Sequence, residues 1–209
     1  MAGTVTAITA QKRTADRVNI YIDDQYGFSL SCRTAAALQQ GDILTPEHIQ
    51  LLKDRDRGET AFLLAVKYLS FRARSRAEVG WYLEARGYSP DEICEVLHRL
   101  ESCNYINDTE FARTWIENRL RHRPRGAYGL KWELRRKGVA EATIASSLDG
   151  FDESEAARRA LISRLRRWEA LPVEEIRRKT YAFLRRRGFA GETCREIWEA
   201  LEKERTNRA

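Results

Sequence analysis

The stretch Leu83-Glu84-Ala85-Arg86-Gly87-Tyr88 decides the fold, because the chain writes its pattern three times. It returns as Leu134-Arg135-Arg136-Lys137-Gly138-Val139 and as Leu184-Arg185-Arg186-Arg187-Gly188-Phe189. The glycines stand 51 and then 50 residues apart. Each copy has a leucine four residues before the glycine, a cation just before it and an apolar residue just after. A helix that closes on a left-handed residue favours glycine, which has no Cβ to clash. In the Schellman form of that ending, the residue after the glycine folds back onto the earlier leucine. That pairs Tyr88 with Leu83, Val139 with Leu134 and Phe189 with Leu184. The cation suits the negative end of the helix dipole. Each copy therefore predicts a helix end, and the fixed period predicts a repeat protein over the last three-quarters of the chain.

Outward from these ends, capping signals divide each repeat into three helices. In the first repeat, residues 59–108, the run Leu63, Leu64, Val66, Tyr68 and Leu69 predicts the apolar face of the first helix. Ser75-Arg-Ala-Glu78 is a capping box that starts the second, and Ser89-Pro-Asp-Glu92 is another that starts the third. The second repeat, residues 109–151, follows the N-cap signal of Asn107 and Glu110. Its first helix breaks at Pro124, and its second runs from about Ala127 to Lys137. The third, residues 152–209, opens with Asp152-Glu-Ser-Glu155, restarts at Pro172 and ends in a polar tail from Lys203. Residues 1–58 differ. Val18, Ile20 and Ile22, then Tyr26, Phe28 and Leu30, alternate with other residues across Asp23-Asp24-Gln25 and predict a β-hairpin. The run around Val5 and Ile8 predicts a third strand, and short helices follow at Ser31 and after Thr45. The charged segment 53–58 places a module boundary there. The expected fold class is mainly α: three tandem three-helix repeats behind a small N-terminal β-hairpin and short-helix module.

The 209 residues contain no apolar run long enough to span a membrane and no evident secretory signal at the N-terminus. The four cysteines, Cys32, Cys94, Cys103 and Cys194, form no Cys-x-x-Cys pair, so the expected compartment is a reducing cytoplasm. No phosphate-binding glycine loop, His-Glu-x-x-His or nucleophile elbow occurs. His48, His98 and His122 fall on different segments. The expectation is a binding protein without catalytic residues, cofactor or metal.

Charge points to the partner. The chain is +6 overall, yet residues 1–58 are neutral and 59–108 are net −2, while 109–151 and 152–209 carry +4 each. Such asymmetry favours an anionic partner for the C-terminal half. The alternative is a solvated face of Glu–Arg pairs. Two turns concentrate the cations: Arg72, Arg74 and Arg76 in the first repeat, then Arg119, Arg121, Arg123 and Arg125 in the second, continued by Lys131, Arg135, Arg136 and Lys137. Equivalent turns of stacked repeats lie on one side and would form a stripe for phosphates or an acidic surface; ordinary loop arginines are the rival reading. Trp81 and Trp132, each six residues before a glycine, are expected to pack between helices rather than stack on bases.

These strings resemble a known family. Tyr68-Leu-Ser-Phe-Arg72-Ala-Arg-Ser75-Arg-Ala-Glu78, Leu83 through Tyr88, Asn104-Tyr-Ile-Asn-Asp108-Thr-Glu-Phe111-Ala112, and Arg123-Pro-Arg-Gly126 through Val139 are similar to RecX, the bacterial regulator of the recombinase RecA. The likeness covers residues 60–201, is looser in the third repeat, and matches the N-terminal module weakly. It implies a monomeric helical body that lies in the groove of the RecA–DNA filament, touches DNA weakly or only within it, and damps strand exchange, ATP hydrolysis and repressor cleavage in DNA repair and the SOS response. The family brings no catalytic residues, so only the basic turns are carried over. Two rivals remain: a helical regulator that binds DNA directly, and a scaffold for an unrelated protein. Because no metal-ligand cluster is written in the sequence, chelator treatment is expected to leave thermal melting unchanged. Stoichiometric zinc in the purified protein would contradict this.

Overall fold

The structure, a computed structural model, describes residues 2–12 and 16–206. It is mainly helical, with three three-helix repeats behind a small strand module. Contacts divide it into two compact units, residues 1–72 with 79–105, and residues 73–78 with 106–209.

In the first unit, β1 (Gly3–Ala10), β2 (Arg17–Ile22), β3 (Gln25–Ser31) and β4 (Ile43–Leu44) form an antiparallel sheet in the order β3-β2-β1-β4. Asp23 and Asp24 both adopt positive φ, 49° and 63°, as a two-residue hairpin turn requires. The alternation expected for β3 breaks once. Ile20 pairs with Phe28 but Tyr21 with Tyr26, so Gly27 is an extra, bulged residue. Tyr26 is thereby exposed beside Tyr21, while Phe28 and Leu30 stay in a core with Val5, Ile20 and Leu44. The short helix α1 (Cys32–Ala35) is capped by Ser31.

One helix, α2 (Pro46–Leu69), runs through the seam expected at residue 58. The charges of that expected boundary are partners of the sheet and of the first repeat. Asp56 is buried, accepts the Ser31 N–H at 2.6 Å and pairs with Arg17 at 3.0 Å. Arg57 reaches Glu92 and donates to the Gly87 carbonyl. The inward face of α2 is Ala61, Phe62 and Ala65, and Leu63, expected inward, is exposed. The alanines let the helix approach α4 (Pro90–Ser102), and the Phe62 ring meets Tyr105 edge-on beneath the Arg99 guanidinium. Between them in sequence comes α3 (Arg76–Glu84).

The second unit holds α5 (Asp108–His122), α6 (Ala127–Arg136) and α7 (Glu141–Ser147), then α8 (Glu153–Trp168), α9 (Val173–Arg186) and α10 (Gly191–Thr206). Of the expected polar tail, 207–209 lie outside the described residues. Phe111, Ile116, Leu130, Leu134 and Ile144 form one core, and Leu161, Phe183, Leu184, Phe189 and Ile197 the next. The three repeated endings close as Schellman motifs. Tyr88, Val139 and Phe189 donate to the carbonyls of Leu83, Leu134 and Leu184 at 3.4, 3.1 and 3.2 Å, and the glycines sit at φ 79°, 73° and 77°.

Two of these endings also receive the start of another helix. The Ser75 hydroxyl donates to the Lys137 carbonyl, and the Arg76 N–H to the Asp108 carboxylate at 2.8 Å. One repeat later, the Gly126 N–H donates to the Arg187 carbonyl at 3.1 Å, and the Ala127 N–H to Glu153 at 2.7 Å. Here the backbones touch. A Cβ on Gly126 would lie 2.3 Å from the Gly188 oxygen, and one on Gly188 would lie 2.3 Å from the Gly129 nitrogen. The two capping glycines Gly87 and Gly188 therefore differ. A Cβ on Gly87 meets open space, so Gly87→Ala should cost about 1 kcal/mol from its positive φ alone. Gly188→Ala must also push the touching backbones apart and should cost several times as much. Denaturant melts giving equal losses would contradict the close approach.

Candidate functional site

The basic turn between α5 and α6 is organised around a carboxylate. Glu133 lies one turn from the end of α6 and is buried. A charge there needs partners to offset lost hydration. It has three: the Arg119 Nε at 2.7 Å, the Arg125 Nε at 2.7 Å and the Trp115 Nε1 at 2.8 Å. Arg119 also lies over the Trp115 ring. Two of the four expected turn arginines are thus turned inward as structural partners. Arg121 and Arg123 face solvent, Arg121 with only a loose 3.8 Å pair to Glu117 one helical turn back.

The remaining expected contact residues divide in the same way. Lys137 donates to Glu78 at 3.0 Å and stands 4.3 Å above the Trp115 ring, so it helps to hold the start of α3. Arg135 is paired with Glu141 on the surface. That hydrogen bond raises the Arg135 pKa and lowers that of Glu141, but both side chains are exposed and water screens the pair. Arg136 is exposed and lies over Trp132 at 4.7 Å, while Lys131 is half-buried. Arg72 is exposed in the first unit, and Arg74 and Arg76 are half-buried in the second. Trp81 and Trp132, expected to pack between helices, are 50% and 48% exposed.

Three arginines of the third repeat were not singled out as contact residues. Arg159, Arg164 and Arg187 join Arg121 and His122 around a cleft of about 550 Å³ between α5, α8 and α9. The one signal for Arg187 is its place before the capping glycine, which Lys137 shares. Arg159 and Arg164 carry no mark in a chain rich in arginine.

The Glu133 cluster gives a direct test. Glu133→Gln keeps the shape but leaves two guanidiniums sharing a neutral amide. It should lower stability by about 1–3 kcal/mol, below the cost of a fully buried pair because both arginines keep some contact with water. An unchanged urea midpoint would show that the cluster is not structural.

With this geometry in place, comparison with known proteins assigns a family. Four family models match in order: "Regulatory protein RecX N-terminal domain" at residues 3–45, and RecX first, second and third three-helix domains at 61–100, 107–148 and 152–198. "Regulatory protein RecX" of Lactobacillus johnsonii is 35% identical over 207 residues, 97% of this chain and 76% of the relative. The Bacillus subtilis protein of the same name is 31% identical over 205 residues, 96% and 78% of the two chains. Among solved structures, a crystal structure of regulatory protein RecX superposes with a TM-score of 0.77 at 23% identity, covering 94% of this chain and 99% of that one. RecX from Lactobacillus salivarius gives a TM-score of 0.65 at 21% identity, over 71% and 98%. These two likenesses bear on the fold, and the closer sequence relatives on descent: the chain belongs to the RecX family of regulatory proteins.

Proposed function

We propose that this chain regulates the bacterial recombinase RecA by binding the RecA–DNA filament and damping strand exchange, ATP hydrolysis and repressor cleavage. The observation that carries the reading is the presence of all four RecX segments, in order, over residues 3–198. The protein acts by occupying a surface rather than by catalysis, as a cytoplasmic monomer. Among the expected contacts, Arg121 and Arg123 are the turn arginines whose exposure leaves them available to an anionic groove.

Direct action on DNA is the second reading. The exposed Trp132 with the Arg136 guanidinium above it favours it, since cation and ring together suit an unstacked base. A helix-turn-helix mode is disfavoured. Recognition helices read bases with their N-terminal turn, and the first turn of α6 is backed by Arg187 and Gly188.

Titration of RecA ATP hydrolysis on single-stranded DNA tests the proposal: substoichiometric inhibition is expected. The double reversal Arg121→Glu, Arg123→Glu should weaken inhibition at least tenfold while moving stability by less than about 0.5 kcal/mol, as exposed sites do. Binding to bare DNA should be weaker than to the filament and lose affinity with salt, at a log–log slope of about −0.7 per phosphate neutralised. Equal affinity for bare DNA and filament would instead favour the direct DNA-binding regulator.

A further inference from the structure

The cleft between α5, α8 and α9 is cationic and lacks an internal counter-ion. Arg121, His122, Arg159, Arg164 and Arg187 line it, and no carboxylate does. The carboxylates nearby are engaged at the rim, Glu117 loosely on Arg121 and Glu155 on Arg159 at 2.7 Å. Glu133 is committed to Arg119 and Arg125. Arg164 and Arg187 have no carboxylate partner among the described residues. They lie over the Phe183 ring, at 5.3 and 4.5 Å, and Arg187 is anchored by one bond to the Pro124 carbonyl at 3.0 Å. The anchor and the ring fix the Arg187 guanidinium while leaving most of its five donors unspent. Burial, with the positive neighbours Arg125, Arg164 and Arg123, holds its pKa below the usual arginine range. The fold keeps like charges together at a cost that an anion from outside would relieve.

We propose that this cleft is a phosphoryl-anion site, in which Arg164 and Arg187 clasp a single phosphate group and Arg121 and His122 close over it. Guanidinium forks match the several oxygens of a phosphate better than those of a lone carboxylate. The volume falls in the range of small-ligand sites and has room for the nucleoside portion of a nucleotide unit beside the phosphate. The phosphate comes either from a free polyphosphate or nucleotide or from the phosphodiester of a strand. The assignment does not rest on the recombinase reading, because it concerns this chain and a small anion alone.

The test uses the full chain at low salt. Anisotropy of a fluorescein-labelled twelve-residue deoxythymidine oligonucleotide is measured, with inorganic tripolyphosphate as competitor. Arg164→Gln should weaken both ligands about tenfold, the effect of losing a charge-assisted contact. Arg187→Gln should do the same, but the Arg164 side chain makes no bond to the backbone among the described residues and so separates binding from folding. Arg177→Gln, an exposed arginine on α9 away from the cleft, removes the same charge and should change affinity less than twofold. Tripolyphosphate binding as tight as the oligonucleotide identifies a free phosphate as the ligand; much tighter oligonucleotide binding identifies a strand. Equal losses in Arg164→Gln and Arg177→Gln, or tripolyphosphate binding unaffected by Arg164→Gln, would overturn the site.

Discussion

The structure of the second unit depends on one contact: the start of a second helix set against the end of the next repeat's second helix. A helix start leaves N–H groups without partners, and a helix end leaves carbonyls. Here each meets the other's need. The hydroxyl of Ser75 and the amide of Gly126 find the carbonyls of Lys137 and Arg187. The next amides, of Arg76 and Ala127, find the carboxylates of Asp108 and Glu153, the residues that open the following repeats. The Schellman glycine makes this geometry possible, because it turns the chain away just past the carbonyl that is used. The second helices of the first and second repeats are thus capped by the repeat that follows. Ser75 and Gly126 both stand twelve residues before a capping glycine; that position in the third repeat is Ile176, a core residue.

Charge is used for two purposes that composition does not separate. One set of ions is internal scaffolding. Glu133 gathers Arg119 and Arg125, Asp56 gathers Arg17 and a backbone amide, and Lys137 joins Glu78. The other set faces outward or into the cleft with weak or no internal compensation, and includes Arg121, Arg123, Arg164 and Arg187. The second set is drawn from both repeats of the second unit.

What was legible in the sequence follows the range of the interaction. The caps were legible because each is a contact of a few residues: Ser75 with Glu78, Ser89 with Glu92, Asn107 with Glu110, and the three glycine endings all form as their spacing implies. The continuity of α2 was not, since its charged middle finds its partners in a sheet and a helix that are distant in sequence. Glu133 resembled the many solvated glutamates, and nothing local marks it as buried. The helix start at Ala127 was legible, but nothing local marks the backbone contact that Gly126 and Gly129 make with residues about 60 positions away. The exposure of Trp81 and Trp132 ran against the ordinary rule for large aromatic residues.

The central claim is that the second-helix starts at Ser75 and Gly126 are sealed by the following repeat. Amide hydrogen exchange at Gly126 and Ala127 tests it most directly. First-turn amides of a helix capped only by water exchange rapidly, whereas amides bonded to Arg187 and Glu153 open only when the two repeats separate. The account predicts protection at Gly126 and Ala127 comparable to that of core amides such as Leu134. Exchange of both at the rate of an unprotected helix start would contradict it.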